Sequence, residues 1–186
     1  MDGARGLAGR VLGLCGFSSS AAILSRAASA LGMTVQAYAP DVTEGLASEL
    51  AVRRANSLED LLARCDVLSL HGTERWTPQV GKAELAALGS GALLLAAEGV
   101  EGLELAALNQ ALKKGDLRVS INQDPNALSD EDQRALGQVA RSKAARVSSG
   151  GGQTLDATQR AATEVVRIVH GFLHEGTVTH CVNTIV

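Results

Sequence analysis

Six apolar runs of five or six residues punctuate the chain: VLGLC (11–15), TVQAY (34–38), DVLSLH (66–71), ALLLA (92–96), LRVSI (117–121) and ARVSS (145–149). Between them, at 18–31, 58–64, 82–88, 103–114, 130–141 and 154–174, apolar residues recur at three- and four-residue spacing. Short bounded runs read as buried strands and the longer spacing reads as helices. Start and stop signals agree. Ser57-Leu-Glu-Asp60 and Ser129-Asp-Glu-Asp132 place a hydroxyl three residues ahead of a carboxylate, and Gly32 and Gly115 follow helical runs where a left-handed cap is wanted. Strand–helix alternation forces right-handed crossovers and a parallel sheet covered on both faces. The expected fold is therefore α/β, a doubly wound parallel sheet, in one domain spanning 1–186. The glycine-rich stretch 148–153 reads as a loop before the last helix, not as a domain boundary.

Composition narrows the function classes. Only four aromatic residues occur (Phe17, Tyr38, Trp76, Phe172), so the core must be built from Ala, Leu and Val, and stacking on bases has little to work with. A net charge of −3 with scattered Lys and Arg offers no basic stripe for phosphates, so no nucleic-acid partner is expected. Cys15, Cys65 and Cys181 are odd in number and lack C-x-x-C spacing, which reads as reduced thiols in a cytoplasmic protein. Arg5 and Arg10 before VLGLCGF imitate a secretory signal, but cleavage there would remove the first strand. No run reaches the roughly 18–20 apolar residues of a membrane span, so a soluble protein without a membrane partner is expected.

At the first strand-to-helix junction stands G-F-S-S-S-A (16–21), where a dinucleotide-binding fold places G-x-G-x-x-G. Gly16 keeps the first glycine. Ser18 stands where close backbone approach to a pyrophosphate wants no side chain, and Ala21 takes the helix-packing position. Ser18, Ser19 and Ser20 crown a helix N-terminus, which favours anions, although serines there also serve simply as N-caps.

The segments 7–16 (LAGRVLGLCG), LGMTVQAYAP, SLEDLLARCDVLSLH, ELAALGSGALLLAAEG and ALNQALKKGDLR together resemble the NAD-binding domain of D-2-hydroxyacid dehydrogenases, the phosphoglycerate dehydrogenase kind in particular, over about 7–183. The resemblance implies a Rossmann-like fold, and a domain that in the family is inserted into a separate substrate-binding domain, for which this sequence leaves no residues. It also implies positions for the chemistry, and these depart from the family pattern. The family's carboxylate-binding arginine in N-x-x-R-G is matched by Glu98. An Arg–carboxylate contact near 4 Å is worth about 4 kcal/mol at an effective dielectric of 20, and an ionised Glu98 would oppose the same anion by as much. The family's acid/base histidine falls at Ser149, forfeiting general acid–base help of roughly 10²–10⁴-fold. The carboxylate that would orient it is matched by Asp124, which also reads as the start of an Asp-Pro-Asn turn. The acidic residue for the ribose hydroxyls is matched by Ala39.

No catalytic residue is therefore expected; cofactor contacts fall, if anywhere, on Gly16, Ser18, Ser19 and Ser20. The expectation is a non-catalytic relative, a pseudoenzyme acting as a homodimeric scaffold or regulatory module for an unidentified protein partner, with no cofactor. The alternatives are a nucleotide- or NAD-binding sensor with NAD as a weak ligand, and a subunit of an NAD-dependent oxidoreductase. His71 reads as a strand-end side chain, with cofactor packing as the other reading. His170 and His174 lie one helical turn apart, but only His180 or Cys181 offers a further ligand, so no metal is expected. Along 154–174, Leu155, Ala162, Val165, Val166, Val169, Phe172 and Leu173 make an apolar stripe. In the family this helix leads to the substrate domain, while the NAD-binding domain makes the main contact between subunits. The stripe is therefore expected to be a dimer seam, the alternative being a helix folded back on its own sheet.

Overall fold

The computed structural model describes residues 6–40, 42–72, 76–150 and 154–178. The chain forms two compact units, Met1–Ser149 and Gly150–Val186. The first is built on seven parallel strands: β1 (Val11–Cys15), β2 (Thr34–Tyr38), β3 (Arg53–Arg54), β4 (Val67–Leu70), β5 (Ala92–Ala96), β6 (Leu117–Asn122) and β7 (Ala145–Ser148). Among the described residues six α-helices connect them: α1 (Ser19–Ala30), α2 (Glu44–Glu49), α3 (Leu58–Leu62), α4 (Lys82–Ala87), α5 (Leu105–Lys114) and α6 (Asp130–Ala140). The strand order is β3-β2-β1-β4-β5-β6-β7. The second unit holds α7 (Leu155–His170), which ends in a π-helical turn, Gly171–Glu175.

Successive residues of a strand face opposite sides of the sheet, and the buried side chains follow suit. Leu12 and Leu14 pack with Ala21, Ala28 and Val35 in one cluster. Cys15, Leu68, Leu70, Leu94 and Ile121 belong to another, with Leu61, Leu85 and Leu108 from the helices. The expected caps form: Ser57 accepts from the Asp60 amide at 3.0 Å and Ser129 from the Asp132 amide at 3.2 Å. Gly115 ends α5 in the left-handed conformation, φ +83°. Two elements were not foreseen. β3 consists of two exposed arginines pairing with Gln36 and Ala37, and the six-residue α2 precedes it.

The order fixes where a site can lie. From β1 the chain winds one way through β2 and β3, then returns to β4 on the other side of β1 and continues outward. Open α/β sheets bind ligands in the crevice outside the carboxyl ends of the strands at such a reversal. Here that is the space beyond Cys15 of β1 and Leu70 of β4, which pair directly.

Candidate functional site

Gly16, the residue after β1, has φ +95°, and a Cβ there would lie 1.5 Å from the carbonyl oxygen of His71. Both constraints demand glycine. The close approach arises because the ends of β1 and its neighbours are tied by main-chain bonds: His71 donates its N–H to Cys15 O at 2.8 Å, and Gly16 donates to Tyr38 O at 2.9 Å. The chain then turns sharply into α1. Ser18 is the N-cap, its hydroxyl accepting from the Ala21 amide at 3.3 Å. The first turn of α1 has no acidic side chain of its own, and Ser19 and Ser20 are exposed there.

An acid reaches this turn from elsewhere. Glu98, in the loop after β5, accepts through Oε1 from the Ser18 hydroxyl at 3.3 Å and from the Ser20 hydroxyl. The same oxygen lies 3.1 Å from Nδ1 of His71, which is also 3.1 Å from the Ser20 hydroxyl and 3.4 Å from that of Ser18. On its far side the imidazole meets the hydroxyl of Ser69, Nε2 to Oγ 2.9 Å. Nδ1 of the ring can donate to Glu98, while Nε2 shares a hydrogen bond with the Ser69 hydroxyl, which can serve as donor or acceptor. Ser69 and His71 are buried. Gly99 follows Glu98 at φ +116°, turning the chain away towards β6, where Val100 donates its amide to the Gln123 side chain at 3.0 Å. Beside Glu98 opens a cavity of about 390 Å³ bounded by Leu70, Thr77, Pro78 and a second carboxylate, Glu101.

The structure thus brings Gly16, Ser18, Ser20 and Glu98 to one place and adds Ser69 and His71. Sequence reasoning treated His71 as a strand-end side chain and did not consider Ser69; the pattern Ser-x-His at a strand end, which puts both side chains on one face, was the available signal. Asp124 and Ser149 follow β6 and β7, two and three strands along from β4. Asp124 caps a 3₁₀ turn, Pro125–Ala127, accepting from the Asn126 amide at 3.0 Å. Ser149 is exposed. Ala39 is buried with Val42 and Ala47 against Phe17 and Trp76, so an apolar patch stands at the end of β2.

Cys15 and Cys65 are free and buried. Burial, reinforced by the neighbouring Cys65 and Glu84, pushes the Cys15 thiol up to about 12. Burial likewise raises Cys65 to about 11, partly offset by its own backbone hydrogen bond. In the second unit the rings of His170 and His174 lie 4.5 Å apart. No group of three metal-ligating side chains exists among the described residues, and His180 and Cys181 lie outside them. Ala162 and the large apolar residues of the stripe, Leu155, Val165, Val166, Val169, Phe172 and Leu173, are exposed. Among the described residues no helix is long and apolar enough to cross a membrane.

Residues 2–122 match the family model of the D-isomer specific 2-hydroxyacid dehydrogenase, NAD binding domain. The D-3-phosphoglycerate dehydrogenase of Haemophilus influenzae is 36% identical over 118 residues, covering 62% of this chain and 28% of that protein. The (S)-sulfolactate dehydrogenase of Chromohalobacter salexigens is 44% identical over 63 residues, covering 34% and 20%. Among solved structures, the D-lactate dehydrogenase of Lactobacillus jensenii with NAD+ superposes at TM-score 0.78 and 21% identity, over 97% of this chain and 57% of that one. A phosphoglycerate oxidoreductase from Rhizobium etli does so at 0.77 and 20%, over 96% and 56%. These likenesses establish the fold; the chain spans under a third of the curated relatives' length and about half of the solved ones. The expectation of no cofactor is overturned, because the matched model is that of an NAD-binding domain and includes Gly16, Ser18, Ser19, Ser20 and Glu98. That expectation counted lost side chains. A helix N-terminus holds phosphate chiefly through main-chain N–H groups, and both the Gly16 turn and the twelve-residue α1 behind it are present.

Proposed function

Because the chain belongs to the D-isomer specific 2-hydroxyacid dehydrogenase family through its NAD-binding domain, we propose that it holds a nicotinamide dinucleotide beyond β1 and β4 without itself carrying out hydride transfer. A bound nicotinamide ring would supply the hydride acceptor or donor. The chain's own contribution is positional: the Gly16 turn aims the first-turn amides of α1 at the phosphates. The apolar patch of Ala39, Val42 and Ala47 stands at the end of β2, and in this reading the main-chain amides carry the binding of the phosphates.

The observation behind the non-catalytic part is the placement of Glu98. An anion stands after β5, hydrogen-bonded in place, where the family pattern wants a cation for the substrate carboxylate. With Ser149 at the position of the acid/base histidine, proton transfer loses its agent as well. The test is an assay of nicotinamide reduction with 3-phosphoglycerate and small 2-hydroxy acids. No turnover is expected; turnover abolished by Glu98→Ala or Ser149→Ala would overturn the reading.

The exposed stripe on α7 favours a second element of the reading, a homodimer serving as a scaffold or regulatory module. Burying five to seven such side chains contributes on the order of 1.5–3 kcal/mol each, against association costs of several kcal/mol. A two-fold arrangement of two copies of one stripe closes on itself.

A further inference from the structure

We infer that Glu98 is a built-in competitor for the dinucleotide's phosphates, an internal anion that occupies the N-terminal turn of α1 and must leave it when the ligand enters. This rests on the proposed dinucleotide reading and deepens it.

The first turn of α1 carries partial positive charge and has no acidic residue of its own. The carboxylate it receives comes from 78 residues along the chain, bonded to the hydroxyls of Ser18 and Ser20. Those are the residues that flank a phosphate seat in this fold. Glu98 therefore lies against the hydroxyls of the same turn whose amides would receive the ligand's phosphates, and it carries the same sign of charge. Two like charges brought together at one helix turn repel each other, so entry of a phosphate requires the carboxylate to move. It has room and a hinge. Its side chain is 35% exposed, it borders the 390 Å³ cavity, and Gly99 behind it already takes a positive φ.

His71 holds the device at rest. Its buried ring, fixed from behind by Ser69, meets Glu98 at 3.1 Å. The arrangement makes Glu98 an autoinhibitory contact between the ends of β5 and α1, released by the ligand.

The test is calorimetric titration of NAD+ into the wild-type protein, Glu98→Gln and Glu98→Ala, with thermal melts to establish that each variant is folded. Removing the charge should tighten binding by about tenfold, the scale of a carboxylate's interaction with a helix terminus. Equal affinity for all three overturns the competitor while leaving the dinucleotide reading intact. Weaker binding by the variants also overturns it, and assigns Glu98 to holding the ligand. No binding by any of them overturns both. A second measurement needs no variant: the side-chain carboxyl carbon resonance of Glu98 in the wild-type protein should shift as NAD+ is added. Saturable NAD+ binding with that resonance unmoved would contradict displacement.

Discussion

Nδ1 of His71 and Oε1 of Glu98 meet at 3.1 Å, joining the end of β4 to the loop after β5 directly in front of α1. The pair turns a strand-end imidazole and a loop carboxylate into one polar unit, with Ser69 behind it and Ser18 and Ser20 ahead. Ser69 holds that unit from below, its hydroxyl 2.9 Å from Nε2 of His71.

Ser69→Ala should therefore be felt beyond its size. The hydroxyl is buried and is the partner of His71 Nε2 at 2.9 Å. Its loss leaves a buried ring nitrogen without that partner, at a cost of about 1–3 kcal/mol. Urea unfolding should show a lower midpoint with an unchanged slope.

Gly16→Ala should be more severe. The new methyl would meet the His71 carbonyl at 1.5 Å, and the positive φ is itself strained for alanine. A loss of about 3 kcal/mol or more is expected. Gly91→Ala is the comparison: it shares a positive φ, 78°, but a Cβ there meets nothing within 4 Å, so it should cost less.

Strand periodicity made most of this sheet legible, since β1, β2, β4, β5, β6 and β7 are short apolar runs flanked by helical spacing. β3 was not, because Arg53 and Arg54 lie exposed at the sheet's edge and need only their backbone to pair with β2. α2 is six residues long and too short for a period to register. The turn at Gly16 was legible from residue type. The meeting of Glu98 with Ser18 and Ser20 was not: spacing along the chain does not say to which side of a strand's end a loop carboxylate turns. Counting absent side chains also misjudged the cofactor, because main-chain donors leave little trace in residue identity.

The two buried thiols predict an alkaline weakness. Their folded values, about 12 for Cys15 and about 11 for Cys65, lie above the ordinary 9.0. The folded state holds these protons more tightly, so stability is complete below about pH 9 and falls as pH rises towards 11 and 12. Chemical unfolding at stepped pH should show that decline. It should be smaller in the double variant Cys15→Ala and Cys65→Ala. Peptide mapping after thiol labelling at neutral pH should find both cysteines unmodified until denaturant is added.

Sedimentation at low micromolar concentration addresses the proposed α7 seam. The expected species is a dimer of the 19.2 kDa chain, and Val165→Asp with Val169→Asp should dissociate it. A single monomeric species in the unmodified protein would remove the seam.

Hydrogen–deuterium exchange of the wild-type protein with and without saturating NAD+ tests the location of the proposed dinucleotide site most directly. Slowed exchange should concentrate in the Gly16 turn and the first turn of α1, with a change in the loop carrying Glu98. Unchanged exchange there, or protection confined to the opposite end of the sheet around Ser90 and Lys114, just ahead of β5 and β6, would contradict the account.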